Sequence, residues 1–183
     1  TATSEEWITP FAATGGVIIA NTGAITMDGA KVFNASVPLT INSLATLVTN
    51  NNQLTFGGNF VNSGTFPAGS SPIVIANTVT AQSIASLSTT GLISMTKTAG
   101  TATFQGNVTG VDLTFNGIGG TLNLGTFTHS ANTLALGGVG QPDGSFGGTG
   151  SGATYINTTY FAATTGIINV STLSCSIGTW LGI

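Results

Sequence analysis

Charge is nearly missing from this sequence. Lys and Arg together number two and Asp and Glu five in 183 residues, where an ordinary globular chain has about a quarter of its residues charged. Lys31 and Lys97 are too few to neutralise a run of phosphates, which excludes nucleic-acid binding. They make no polybasic patch for an anionic membrane surface either. The acids Glu5, Glu6, Asp28, Asp112 and Asp143 are scattered, so clustered carboxylates for calcium are lacking. The lone Cys175 excludes an internal disulfide framework. It reads as a small buried hydrophobe, with no cationic neighbour to lower its pKa, or as the partner of a cysteine beyond Ile183. Apolar runs such as Val17-Ile18-Ile19-Ala20 fall far short of the roughly 18 residues of a membrane helix, so no membrane insertion is expected. No Arg/Lys-led signal peptide is present, and the start at Thr1 without Met predicts a processed product or an excerpt.

What remains is a neutral chain rich in hydroxyls, amides and glycine. A hydrophobic fraction of 41% supplies a core and argues against disorder, which goes with low hydrophobicity and high net charge. Helix formers are scarce and β-branched residues recur. Short apolar–polar alternations bounded by Gly or Asn stand out. Five share one template, starting at Leu54, Ile73, Leu92, Leu113 and Leu134, with steps of 19, 19, 21 and 21 residues. None of the charged residues falls inside these five strand cores. A period near 20 with two or three short strands per period predicts an all-β, parallel β-solenoid (β-helix-like) fold whose coils bury an apolar column only by stacking. Asn and Thr at matching corners are expected to hydrogen-bond along the stack. An antiparallel β-sandwich or jelly-roll is the alternative, since it also shows many short strands.

Two regions are expected: 1–138, the solenoid with an N-terminal edge segment, and 139–183, a Gly-rich turn followed by a C-terminal β segment. Gln141-Pro142-Asp143-Gly144 reads as a type I or II turn. Residues 153–161 and 166–171 read as a hairpin-like pair that caps the stack or begins a further module.

The phrase Leu54-Thr55-Phe56-Gly57-Gly58-Asn59-Phe60-Val61-Asn62-Ser63-Gly64-Thr65-Phe66 resembles a recurrent phrase of large secreted surface proteins of Bacteroidetes-type bacteria. It is followed here, as there, by an apolar strand (Ile73-Val74-Ile75) and a Gln-Ser-Ile step (Gln82-Ser83-Ile84). Residues 111–117 and 153–170 are similar to other segments of the same proteins. The resemblance spans residues 15–175 and implies an exported, adhesin-like β-solenoid segment without catalytic residues.

Candidate chemistry is sparse. His129 is the only histidine, and no nucleophile motif surrounds it; it reads as a surface or corner residue. Gly147-Gly148-Thr149-Gly150-Ser151-Gly152 lacks the Lys and the strand–helix context of a phosphate loop. Four Asn-x-Ser/Thr sequons, at Asn34, Asn107, Asn157 and Asn169, match what chance gives in so Asn- and Thr-rich a chain. No cofactor, metal or enzymatic activity is expected. The expected role is an extracellular structural subunit or repeat module of a bacterial surface fibre. Its partners are copies of itself or adjacent modules of the same chain, joined through strand edges and apolar ends. The candidate interface residues are Trp7, Ile8, Phe11, Val17, Ile19, Trp180, Leu181 and Ile183. The alternative is an adhesin module that binds glycans or surfaces.

Overall fold

The computed structural model describes residues 9–77, 81–109, 111–115 and 119–171. Every described element is a strand, and the strands stack in layers. The first layer holds β1 (Val17–Ile19), β2 (Ala24–Thr26) and β3 (Lys31–Val32). The second holds β4 (Leu39–Ile41), β5 (Thr46–Val48) and β6 (Leu54–Phe56). In the third, β7 (Phe60–Asn62) and β8 (Ile73–Ile75) flank Thr65, which makes a single parallel bridge to Thr46. The fourth runs through β9 (Gln82–Ile84), β10 (Leu87–Ser88) and β11 (Leu92–Met95), and the fifth through β12 (Thr101–Phe104), β13 (Val108–Thr109) and β14 (Val111–Phe115). The sixth, five turns above the first, holds β15 (Thr121–Asn123) and the long β16 (Thr128–Leu136). First-position strands pair in the order β1-β4-β7-β9-β12-β15, and third-position strands in the order β3-β6-β8-β11-β14-β16. Every one of these pairs is parallel. The fold is a parallel β-solenoid.

The register explains why these residues stack. In-register partners on the third face form one inward column, Lys31, Leu54, Ile73, Ile93, Leu113 and Leu134. A second column two residues on holds Phe56, Ile75, Met95, Phe115 and Leu136. Leu39, Ile41, Phe60, Ile84, Phe104 and Leu122 face them from the first sheet, all buried. Each fully buried side chain of this size contributes about 1.5–3 kcal/mol, and only because the layers above and below close over it. Polar residues do link turns along the stack: the hydroxyls of Thr101 and Thr121 lie 2.9 Å apart. Corners are tight. At Gly57 a Cβ would lie 2.2 Å from the carbonyl oxygen of Phe33 in the layer below, so only glycine allows the turns to close.

The sequence template slips by one residue in the fourth layer. Ile93, not Leu92, joins the inward column, and Leu92 pairs with Asp112 and is 43% exposed. Two adjacent apolar residues leave the pattern degenerate there, and a one-residue shift exchanges the faces. Lys31 also lies in a strand, as the lowest member of a buried column, which the template starting at Leu54 did not reach.

The top of the stack departs from parallel order. After β16 the chain reverses at Gly137-Gly138, both with positive φ (59° and 80°), a two-residue hairpin turn of the kind that needs such residues. β17 (Val139–Gly140) then pairs antiparallel with β16. Next come β18 (Gly144–Gly147), β19 (Tyr155–Ile156) and β20 (Ile167–Val170). β20 continues the parallel stack on the first half of β16, β18 lies antiparallel on β20, and β19 forms the outer edge beside β18. Antiparallel pairing is thus present in the C-terminal segment, but the 166–171 run takes Gly144–Gly147 as its antiparallel partner instead of the 153–161 run, which lies parallel on the far side of β18. The Gly144–Gly147 stretch, read as belonging to a turn, intervenes as a strand. The ten-stranded sheet draws strands from both sides of residue 138.

Candidate functional site

At the lower end, Phe11 forms a parallel bridge with Phe33. Its N–H donates to the carbonyl of Val32 (2.8 Å), and its carbonyl accepts the N–H of Asn34 (3.0 Å). The two phenyl rings stack at 4.7 Å. Residues around Phe11 therefore begin a turn beneath β3, while β1 and β2 have no strand below them among the described residues. Val17 is half-buried against the core and Ile19 is buried within it, so the outward apolar residue of β1 is Ile18, 61% exposed. Of the candidate interface residues, the structure thus places Phe11 and Val17 at the lower end and Ile19 inside. Trp7, Ile8, Trp180, Leu181 and Ile183 lie outside the described residues.

At the upper end, Phe161 bridges to Leu122 and meets Phe115 edge-on at 5.5 Å. Tyr160 meets the same ring at 5.4 Å. These rings close the inward column from above. Phe146 of β18 is buried and stacks on Tyr155 of β19 at 4.7 Å. Among the described residues the two ends differ: a parallel edge with no strand on it below, and a reversed strand pair over aromatic rings above.

The polar chemistry sits inside the corners. Lys97 is 1% exposed, and its Nζ donates to the backbone carbonyl of Asn77 and to Oε1 of Gln82, both at 3.1 Å. Gln82 Nε2 in turn donates to the carbonyls of Phe56 (3.1 Å) and Gly58 (3.0 Å), and Asn77 Nδ2 to that of Gly57 (2.9 Å). Burial holds the Lys97 ammonium below its usual pKa. On another corner, Ser71 Oγ donates to Thr49 Oγ1 at 2.6 Å, and Thr89 Oγ1 donates to the carbonyl of Ser71 at 2.8 Å. Such satisfied networks hold adjacent turns in register. The 20-residue separation of Asn77 and Lys97 was the signal that both occupy the same corner on successive turns.

His129 is buried within β16, not at the surface or a corner as read from the sequence. A bulky ring reaches the interior there because two backbone groups satisfy its nitrogens. Asp28 pairs with Lys31 at the lower end, and the Lys31 ammonium holds the Asp28 carboxyl below the usual carboxylate range. Asp112 accepts a hydrogen bond from Thr133 Oγ1 at 2.8 Å. Among the described residues no three His, Cys, Asp or Glu side chains gather as a metal site.

No protein-family model, curated protein or solved structure matches the chain. What distinguishes the molecule is the stack itself: two dissimilar ends, polar groups locked in the corners, and both lysines turned inward.

Proposed function

We propose that this chain is a non-enzymatic structural module of an exported bacterial surface fibre, with a neighbouring copy or the next module of the same chain seated on its lower end. The observation that supports this reading is the asymmetry of the ends. Parallel edges such as β1 and β2 are templates for another strand. Phe11 shows how such a strand sits, since it pairs beneath Phe33 by ordinary ladder hydrogen bonds. At the upper end β17 on β16 and β18 on β20 break the parallel order, leaving short edges at β17 and β19 among the described residues. A head-to-tail contact of two unlike surfaces gives an open filament unless the rotation closes a ring. Low charge favours it, because little repulsion opposes association.

Analytical ultracentrifugation over a range of concentrations, with negative-stain electron microscopy, tests this. The expected result is rods one solenoid wide that lengthen with concentration. Ile18→Lys on β1 and deletion of residues 1–12 should both suppress them, the first without loss of thermal stability. Monomers at every concentration, or unchanged rods after the deletion, would sink the reading.

A further inference from the structure

The second face of the solenoid has one feature that neither end explains. There β10 and β13 lie side by side, Leu87 beside Val108 and Ser88 beside Thr109. Leu87 and Val108 are buried, while Ser88 and Thr109 are exposed. Phe66 stands one layer below this pair and Phe127 one layer above, both half-buried. At about 4.8 Å per strand, the three steps from one ring to the other span roughly 14 Å. Between them runs an open groove of about 610 Å³, whose floor also includes Ser86 and Asn107.

Both rings are fixed before any ligand arrives. Phe66 packs on Phe60 at 5.0 Å, and Phe60 stacks on Phe56 at 4.6 Å. Phe127 meets the buried His129 edge-on at 6.2 Å. A ligand laid between them therefore costs little side-chain ordering. The side chains of Ser86, Ser88, Asn107 and Thr109 make no hydrogen bond among the described residues, so three hydroxyls and one amide face the groove ready to pair.

We propose that this groove binds a neutral oligosaccharide. The negative faces of the phenyl rings attract polarised C–H edges, which a sugar ring presents on its flatter side. The floor supplies donors and acceptors for its hydroxyls, the mix of aromatic walls and a few placed polar groups that small-ligand sites show. An acidic ligand finds no counter-charge: the groove lining carries no titratable group, and Lys31 and Lys97 are both buried. A wholly apolar ligand would strip water from four polar side chains without replacing it. A peptide added as a strand needs a free edge, whereas this floor is the face of a pair already formed.

The test is isothermal titration of the whole chain with cello-, laminari-, malto- and manno-oligosaccharides, with oligogalacturonate as an acidic control. At least one neutral oligomer should bind saturably. Phe66→Ala and Phe127→Ala should each weaken that binding about tenfold or more. So should Ser88→Lys, which places a long side chain in the groove from an exposed position and should leave the melting temperature unchanged. No saturable binding by any neutral oligomer overturns the proposal. So does binding that Ser88→Lys leaves intact, or oligogalacturonate binding as tight as the neutral oligomers. End-to-end assembly uses other residues, so loss of rods in the Ile18→Lys variant leaves this result unaffected.

Discussion

Nδ1 of His129 accepts the backbone N–H of Val108 at 3.1 Å, so a ring nitrogen joins two adjacent layers. That nitrogen carries no hydrogen. Nε2 carries it and donates to the carbonyl of Leu124 at 3.0 Å. Burial holds the imidazole below its usual value of 6.5, and the bond to Leu124 offsets some of that effect. The unfolded chain therefore takes up this proton at a higher pH than the folded one. The contribution of His129 to stability is complete above pH 6.5, declines as the pH falls below it, and levels off beneath the lowered folded-state value. Urea midpoints measured from pH 8 to pH 5 should fall for the native sequence and stay nearly flat for His129→Gln. Equal slopes for the two would refute the assignment.

Ile93 and Leu92 test the register. Ile93 is fully buried in the inward column and Leu92 points outward. Ile93→Ala should cost about 2–5 kcal/mol, and Leu92→Ala no more than about 0.5 kcal/mol. Chemical denaturation of the two variants reads the difference directly. A larger loss at Leu92 would show the fourth layer to be shifted by one residue.

Glycines at the corners are unequal. A methyl at Gly57 meets backbone oxygens of Phe33 and Asn34 at 2.2 and 2.3 Å, whereas nothing lies within 4 Å of one at Gly29. Backbone atoms cannot rotate aside, so Gly57→Ala must push adjacent layers away from each other. It should lose about 2 kcal/mol or more, while Gly29→Ala stays within about 0.5 kcal/mol. Thermal melts of both variants, monitored by circular dichroism, make the comparison.

Lys97 stabilises its corner by its stem and its hydrogen bonds rather than by its charge. Lys97→Ala leaves the carbonyl of Asn77 and Oε1 of Gln82 without this donor and opens a cavity, a loss of about 2–4 kcal/mol. Lys97→Met keeps the stem and should lose less. Because burial lowers the ammonium pKa from 10.5, the folded chain releases this proton first. Stability at this site therefore rises as the pH climbs toward 10.5 and is lost as it falls through the lowered folded value. Denaturation at pH 7 and pH 10 should show this gain in the native sequence and not in Lys97→Met.

The repeat was legible because the inward column is built almost wholly from Leu, Ile, Phe and Met at a nearly constant step. Four of the five template positions, Leu54, Ile73, Leu113 and Leu134, stand in one column. The fifth slipped where Leu92 and Ile93 are both apolar. The buried roles of Lys97, Gln82 and His129 were not legible. Residue type argues for exposure, and only the register reveals the backbone groups that await them, carbonyls of the turn below for Lys97 and Gln82 and the Val108 N–H for His129. The upper end was hidden for a different reason. Gly144–Gly147 sets only Ser145 and Phe146 between two glycines, too short a run to show alternation, yet its backbone pairs with β20.

The inward turn of the lysines has one more consequence. Lys31 and Lys97 are the only lysine or arginine residues among all 183, and they are 3% and 1% exposed. A protease that cuts after lysine or arginine therefore meets no accessible bond in the folded chain, and must wait for the stack to open before it cleaves. Hiding two side chains gives the whole surface the durability toward trypsin-like digestion that other proteins reach with dense crosslinks or glycan coats.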